Sequence, residues 1–566
     1  MNNKSSQTGY FIIGIRTLML ITIILVLVSC NPTTQSSPIA THTQTLPTTI
    51  TPILPTNTIT QQPTYTQTPS LVPMSDFMKG FGYGAGWSGF YSSITSDWIL
   101  ENTVKPLGVT WIKIQPACNQ ETDHSTQISC LDKNVPTYSD ISHVVDKAHR
   151  LGLRVLFEPA ISVKDMSNGG WAGTIGRSFN DRQWQDWFTS FDQMILNYAR
   201  ISEINHIDYF SVGSELRIAS SRESEFRNLI AQVRKIYHGP IIYSSDQELE
   251  WNHIQWWDAV DAIGIHPYIL RIPTSIYEPT VEDVMTAWRP ITDRLSELSD
   301  KWNRPIVITE IGYESRHGIS HDYMYGLEHP KLDTHESAVL YQGFVNAFKD
   351  KPWFRGLFWW VINSWTNFAE PTTFLFNPYK PEVDVVRAFY GAPPEPTPPP
   401  FPQYPSSFKN IQDIYIDGLN PNWSNYPPNG DPANIDFSQS KVALSGNAIR
   451  VNLVAELIFS RDPYIDFTNY QWLEFYVYVS PDAPYPPMLH VSLRDSMFHC
   501  MPYTVDLTNS QFIQGGQLER GQWQQVDIPI VAMGPLLESI KSITIVNDPM
   551  RPPMVIYVDN IRLLGN

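Results

Sequence analysis

The sequence predicts a (β/α)8 TIM barrel followed by an all-β jelly-roll or sandwich domain. Three observations carry that expectation. Short β-branched or aromatic runs alternate with helical patterns over residues 76–391. Helical periodicity then largely stops, and short alternating strands fill residues 406–566. A Pro-rich spacer over 392–405, APPEPTPPPFPQYP, separates the two.

Taken in order, residues 1–30 read as an export signal. Lys4 and Arg16 precede an apolar run from Leu18 to Val28, which is short for a membrane-spanning helix. The run meets Leu27-Val28-Ser29-Cys30, which resembles the lipobox of bacterial lipoproteins. Cys30 is therefore the expected lipidation site, and the membrane an expected partner through that lipid. The expected location is extracytoplasmic, on the cell surface. Residues 31–75 are rich in Thr, Pro, Ser and Gln and read as a disordered tether.

The barrel strands are expected at Lys79–Trp87, Val109–Gln115, Arg154–Pro159, Tyr209–Glu215, Pro240–Ser245, Ala262–Tyr268, Ile306–Ile311 and Gly356–Val361. Trp184, Trp187, Phe188, Phe191 and Ile195 stripe a long helix before the fourth strand. Ser220 and Glu223 form a capping-box pattern in front of a helix to Tyr237, with Gly239 beyond its end. Asp333 and Glu336 similarly open a helix carrying Val339, Leu340, Phe344 and Phe348. A doubly wound open sheet is the rival topology, but its Gly-rich phosphate turn, GxGxxG, is absent.

Composition bounds the function. A chain of 566 residues exceeds one compact core. Its formal charge of −17, from 39 basic and 56 acidic residues, argues against nucleic acid, whose phosphates need Lys and Arg. Aromatic content of 13%, with 18 Trp, suits a neutral substrate such as a glycan. Beyond Cys30, Cys118 and Cys130 lie close enough in one loop to pair in an oxidising compartment. Cys500 is left over and expected to be buried. No CxxC or Cys/His cluster suggests a metal, and His317, His321, His329 and His335 lack ligand spacing. No cofactor is expected, and a monomer is.

Chemistry in a TIM barrel sits at the C-terminal ends of the strands. Glu215 is read as ending the fourth expected strand and Glu310 the seventh. Two carboxylates facing each other across a barrel mouth suit glycoside hydrolysis. One protonates the leaving oxygen, and the other attacks the anomeric carbon or activates water. Tyr268 is placed to hydrogen-bond Glu310, and His266 lies two residues before it. Trp359 and Trp360 are adjacent, so strand alternation sends them to opposite faces, and one is expected to floor the sugar site. Glu158 and Gln115, at the ends of strands three and two, are candidates for sugar hydroxyls. Trp171, in a Gly-rich loop, is a candidate subsite wall.

The stretches WQDWFTSFDQMILNY (184–198), FSVGSEL (210–216), WDAVDAIGIHPY (257–268), PIVITEIGY (305–313) and GLFWW (356–360) run in order along the barrel. Together they resemble the large clan of retaining β-glycoside hydrolases, and within it glycoside hydrolase family 113, whose characterised members are β-mannanases. The resemblance implies Glu215 as acid/base and Glu310 as nucleophile. The chain departs from the clan pattern at Ser214, where Asn is common, at His266-Pro267, and at Phe157-Glu158-Pro159-Ala160. These departures lie where substrate binds, so Ser214 and His266 join the candidate contacts and the mannan preference is the part they bear on.

The C-terminal strands are expected at Ala448–Leu453, Trp472–Tyr478, Leu489–Leu493, Gln524–Ile528, Ser542–Val546 and Val555–Leu563. With IYIDGLNPNWSNY (414–426) and GQWQQVDIPI (521–530), the segment resembles a carbohydrate-binding jelly roll. Trp423 and Tyr426 are candidate stacking surfaces, while Trp472 and Trp523 read as core. The expected function is a surface-anchored retaining glycosidase on β-1,4-mannan or a related β-glycan. The alternative is a catalytically inactive surface protein that binds glycan with both modules.

Overall fold

The computed structural model describes residues 77–85, 88–321, 333–363, 381–393, 403–425, 435–453, 456–484, 487–495, 505–507, 510–533, 540–547 and 553–566. The export signal with Cys30, the tether, much of the Pro-rich spacer, His329, Tyr426 and Cys500 lie outside the described residues.

Eight parallel strands close into a barrel. They are β1 (Met78–Gly84), β2 (Trp111–Ile114), β3 (Arg154–Phe157), β4 (Tyr209–Ser214), β5 (Ile241–Ser245), β6 (Ala262–Ile265), β7 (Ile306–Ile311) and β8 (Phe354–Asn363). Each pairs with its sequence neighbour, and β8 returns to β1 through pairs such as Phe81 with Trp359. The strand segments read from the sequence are therefore the barrel strands. Their edges move: β1 ends at Gly84 and β6 at Ile265.

A helix follows each strand: α1 (Ile94–Ile99), α2 (Tyr138–Arg150), α3 (Asp181–Ile204), α4 (Glu223–Val233), α5 (Glu248–Trp251), α6 (Val281–Trp302), α7 (Thr334–Phe348) and α8 (Glu382–Tyr390). Their starts are specified locally. Thr137 with Asp140, Asn180 with Gln183, and Thr280 with Asp283 satisfy each other's backbone N–H groups reciprocally. Asp333 accepts from the Glu336 N–H in front of α7, as the sequence predicts. The stripe on α3 is buried, with Trp187 stacked on Phe191 at 4.7 Å. The Ser220–Glu223 capping box does not form. Helix α4 starts behind Arg222, and the Ser220 hydroxyl instead pairs with the Arg217 carbonyl and His253.

One residue from each strand builds an apolar layer inside the barrel: Met78, Trp111, Leu156, Tyr209, Ile242, Ala262, Val307 and Phe358. Two positions further along the same faces stand Lys113, Glu158, Ser244, Thr309 and Trp360. The interior thus turns from apolar to polar toward the C-terminal strand ends. That gradient leaves a packed base below and a reactive mouth above.

Beyond β2 and β3 a small sheet forms from Ala117–Gln120, Ile128–Ser129 and Ala160–Val163, which the sequence reading does not separate from loops. Cys118 and Cys130 are joined by a disulfide across it.

The C-terminal part is two antiparallel sheets. One orders Ile435–Gln439, Ala448–Leu453, Met554–Gly565, Trp472–Val479 and Trp523–Pro529, with Asn410–Tyr415 paired to Met554–Gly565. The other orders Trp423–Asn425, Glu456–Ile465, Ile540–Asn547, Leu489–Asp495 and Val505–Asp506. Their inner faces share one core, with Phe475 and Val477 from the first and Phe459, Ile543 and Ile545 from the second. Trp423 is buried in that core, so it is not a stacking surface. Trp472 is buried as expected, but Trp523 is not core. It is half-buried on the outer face, in a cross-strand row with Tyr478 and Tyr557 whose neighbouring ring centroids lie 5.8 and 5.7 Å apart.

Candidate active site

Glu215 leaves β4 with φ of 54°, the left-handed region that a residue with a Cβ rarely adopts. Such backbones persist only where neighbours hold them, and they concentrate at functional positions. Here the Glu215 N–H donates to the Ser244 carbonyl at 2.9 Å, and the Leu216 N–H to the Tyr243 hydroxyl at 2.9 Å. Gly213, at φ 149°, precedes the turn; a Cβ there would sit 3.2 Å from the Tyr243 ring. The turn lifts Glu215 out of the strand, where it is half-buried. Its Oε1 lies 2.8 Å from Nδ1 of His266.

Glu310, on β7, has a side chain 13% exposed. The Lys113 ammonium donates to its Oε2 at 3.0 Å, and the Tyr268 hydroxyl to its Oε1 at 3.3 Å. Burial and the charges of Glu310 and Glu215 hold the Tyr268 hydroxyl well above its usual range, so it remains a donor.

Lys113 connects this carboxylate to a second one. It is fully buried and donates to Glu158 Oε1 at 2.8 Å. Burial alone would lower its ammonium, but the two carboxylates outweigh that and raise it. Glu158 is likewise buried, which would push its carboxyl up. Lys113, His266 and the hydrogen bonds from Lys113 and Ser244 pull it below the usual range instead. Gln115 Nε2 donates to Glu158 at 2.7 Å, Ser214 Oγ at 3.3 Å, and Ser244 Oγ also donates.

These partners correct the sugar-binding expectations for Glu158, Ser214, His266 and Trp359. Glu158 and His266 are fully buried and Ser214 nearly so; protein groups already meet the Glu158 carboxylate, the Ser214 hydroxyl and Nδ1 of His266. They form the layer under the site rather than its wall. Gln115 is half-buried, and its amide is turned to Glu158. Trp359 points outward and stacks on Tyr341 at 4.3 Å. Trp360 points inward, half-buried, with the Lys113 ammonium 5.2 Å from its ring centroid. Of the pair, Trp360 is the one on the barrel's inner face. Trp171 is half-buried, and the Arg217 guanidinium lies 5.0 Å from its ring centroid. Arg217 in turn pairs with Asp246.

Sequence reasoning does not single out Lys113, Ser244 or Glu250. Lys113 does carry a signal: a lone charge in the run Trp111–Ile114, on the same face as Trp111. Glu250 lies behind Glu215, fully buried, accepting from the Tyr243 hydroxyl at 2.5 Å and the Asp246 N–H at 2.6 Å. Burial first, and the charge of Glu215 in addition, push its carboxyl up to about 8.

Two groups of potential metal-ligand atoms occur among the described residues, each within 4.8 Å: Glu158, His266 and Glu310, and His317, Asp333 and Glu336. In the first, Lys113 already supplies the cation between the carboxylates. In the second, Glu336 accepts from the Gly318 and Ser320 N–H groups and the Ser320 hydroxyl, so it ties a loop.

The model of Glycoside Hydrolase Family 113 matches residues 80–372. No curated protein matches significantly. Among solved structures, a GH113 β-1,4-mannanase in complex is 24% identical; the match covers 56% of this chain and 100% of that one, with a TM-score of 0.49. The GH113 β-mannanase AaManA from Alicyclobacillus acidocaldarius is also 24% identical, with 56% and 98% covered and a TM-score of 0.48. A family 5 mannosidase from Rhizomucor miehei is 11% identical, with 56% and 93% covered and a TM-score of 0.41. The family model spans over half of the sequence: the chain belongs to glycoside hydrolase family 113 and is a glycoside hydrolase.

Proposed function

We propose that this family 113 hydrolase cleaves β-1,4-mannan or a closely related β-glycan with retention of configuration, Glu310 acting as nucleophile and Glu215 as acid/base. The observation that carries the reading is the arrangement of the two glutamates. They stand at the mouth on β7 and just past β4, and His266, Lys113 and Glu158 link them underneath. Tyr268 and Lys113 aim donors at both oxygens of Glu310, fixing its direction toward an anomeric carbon above. Trp360 offers a ring to a pyranose face at the floor.

The reaction runs in two displacements. Glu310 bonds to the anomeric carbon as the glycosidic C–O bond breaks, and the leaving oxygen takes the proton of Glu215. Water then attacks the same carbon, gives its proton to Glu215, and the ester bond to Glu310 breaks. Both residues return to their starting states, and no redox partner enters.

Hydrolysis of β-mannan, glucomannan, xylan and β-glucan, followed by proton NMR of the first-formed anomer, tests the reading. The expected result is release from a mannan with the β-anomer formed first. Release of the α-anomer, or hydrolysis unaffected by Glu310→Ala, would sink it.

The N-terminal Cys30 segment supports a lipid anchor at the cell surface, tested by mass spectrometry of the mature N-terminus. The outer row of Trp523, Tyr478 and Tyr557 supports polymer binding by the C-terminal sheets. Trp523→Ala is expected to reduce retention on insoluble mannan and leave hydrolysis of a soluble oligosaccharide unchanged. Equal retention would remove that role.

A further inference from the structure

His266 has two ring nitrogens in unlike surroundings. Nδ1 lies 2.8 Å from Oε1 of Glu215. Nε2 is buried with no hydrogen-bond partner and lies 3.7 Å from Oε1 of Glu158. A ring nitrogen of His266 and carboxylate oxygens of Glu158 and Glu310 fall within 4.8 Å of one another. Among the described residues, one ammonium, that of Lys113, pairs with those two carboxylates. The field at Nε2 therefore favours a hydrogen there over a lone pair. Burial, the largest influence, together with Lys113 lowers the imidazole's affinity for a second proton, against the opposing pull of Glu310 and Glu158. The ring is accordingly neutral, with one hydrogen to place.

If that hydrogen is on Nε2, Nδ1 presents a lone pair to Glu215. Two lone pairs at 2.8 Å repel, so the contact requires a hydrogen on the Glu215 carboxyl. We propose that His266 is a positioning residue for the acid step: its Nε2–H is directed at the buried Glu158, and its Nδ1 accepts from the Glu215 carboxyl and keeps the proton there until the leaving oxygen takes it. Glu158 and Lys113 thereby act on the acid through the imidazole, although neither reaches the sugar. This inference rests on the assignment of Glu215 as acid/base.

The geometry also accounts for the departure at His266-Pro267. The β6 strand ends at Ile265, and the His266 N–H is bonded to the Ser245 carbonyl at 2.9 Å, which fixes the ring beneath Glu215. Tyr268, two residues on, reaches Glu310, so one short segment serves both carboxylates.

Two measurements test the proposal. The first is the tautomer of His266 in the full-length enzyme, read from long-range proton–nitrogen NMR correlations of histidine-labelled protein at neutral pH. A hydrogen on Nε2 with a bare Nδ1 is expected. A hydrogen on Nδ1, or a doubly protonated ring, would overturn the proposal. The second uses His266→Ala and His266→Asn on two mannosides, one with a poor leaving group and one with a dinitrophenolate that needs no acid. His266→Ala is expected to lower kcat/KM on the poor leaving group by about tenfold or more while the dinitrophenyl substrate falls far less. The basic limb of its pH profile is expected to move down by about one unit. His266→Asn, whose amide oxygen can accept near the Nδ1 position, is expected to recover part of the loss. An equal fall on both substrates with an unmoved basic limb would assign His266 a packing role only. Glu215→Ala serves as the control: if it hydrolyses the poor leaving group normally, the acid/base assignment itself fails, whatever His266 does.

Discussion

The two glutamates occupy matching places in the fold and unlike surroundings. Glu310 is met by donors at both oxygens, the Lys113 ammonium and the Tyr268 hydroxyl. Glu215 is met by Nδ1 of the buried His266 imidazole, and its backbone is twisted into the left-handed region. An acceptor-only carboxylate fits the first environment, and a carboxyl with a hydrogen to give fits the second. The roles proposed for the two residues rest on their neighbours more than on their strand ends. The same lesson holds for the barrel and the C-terminal sheets. The barrel's polar groups converge on one mouth, while the second domain sets its aromatic row of Trp523, Tyr478 and Tyr557 on the outer face of a sheet.

The contrast is sharpest when each carboxylate is deleted. Glu310→Ala is expected to cost about 10⁴-fold or more on every glycoside, activated or not, because the first bond-forming step is lost. Glu215→Ala is expected to cost about 10²–10⁴-fold on polysaccharide and far less on dinitrophenyl mannoside. Azide should restore the second variant as a glycosyl azide of retained configuration. Indistinguishable leaving-group profiles for the two variants would break the contrast.

Lys113 tests whether Glu310 depends on its cation. Lys113→Met leaves buried Glu158 without its ion-pair partner, and removal of one partner of a buried pair costs about 3–5 kcal/mol. Urea unfolding measures that loss. Adding Glu158→Leu should return most of the stability, since an apolar pair replaces a charged one. Activity is expected to stay low in the double variant, because Glu310 still lacks its Lys113 donor. Recovery of both would make Lys113 purely structural.

The smallest expected effect lies behind Glu215. The Glu250 carboxyl is raised to about 8 from an ordinary 4.5, chiefly by burial. The folded protein therefore keeps a proton that the unfolded chain releases near 4.5. Its contribution to stability is complete below that value and is lost as pH rises through about 8, at no more than about 1.4 kcal/mol per pH unit. Glu250→Gln is expected to flatten the urea midpoint across that window. An unchanged slope would mean that Glu250 does not hold its proton.

Much of this arrangement is legible in the sequence. The barrel strands are β-branched runs with clear punctuation, and Glu215 and Glu310 stand out as charges at their ends. Trp359 and Trp360 are separable once Phe358 is known to point inward, but alternation alone leaves the phase open. Lys113 is hidden because its run reads as apolar, although its partners come from β3 and β7, far away in sequence. Glu158 reads as a strand-end candidate for sugar hydroxyls; only the ring of donors around it reveals its burial. Ser220 fits a capping pattern, yet the loop after Glu215 uses its hydroxyl elsewhere. In the C-terminal part, Glu456–Ile465 escapes notice because Ser460, Arg461 and Asp462 interrupt its alternation. Local patterns thus announce elements, while contacts across the barrel decide which polar residues touch substrate and which support those that do.

The central claim is that Glu310 forms the covalent bond. Incubating the enzyme with a fluorinated, activated β-mannoside, then mapping the added mass by peptide mass spectrometry, addresses it directly. The expected result is a single glycosyl adduct on Glu310, absent when Glu310→Ala is used. An adduct on Glu215 or another residue, or turnover with inversion and no adduct, would contradict the account.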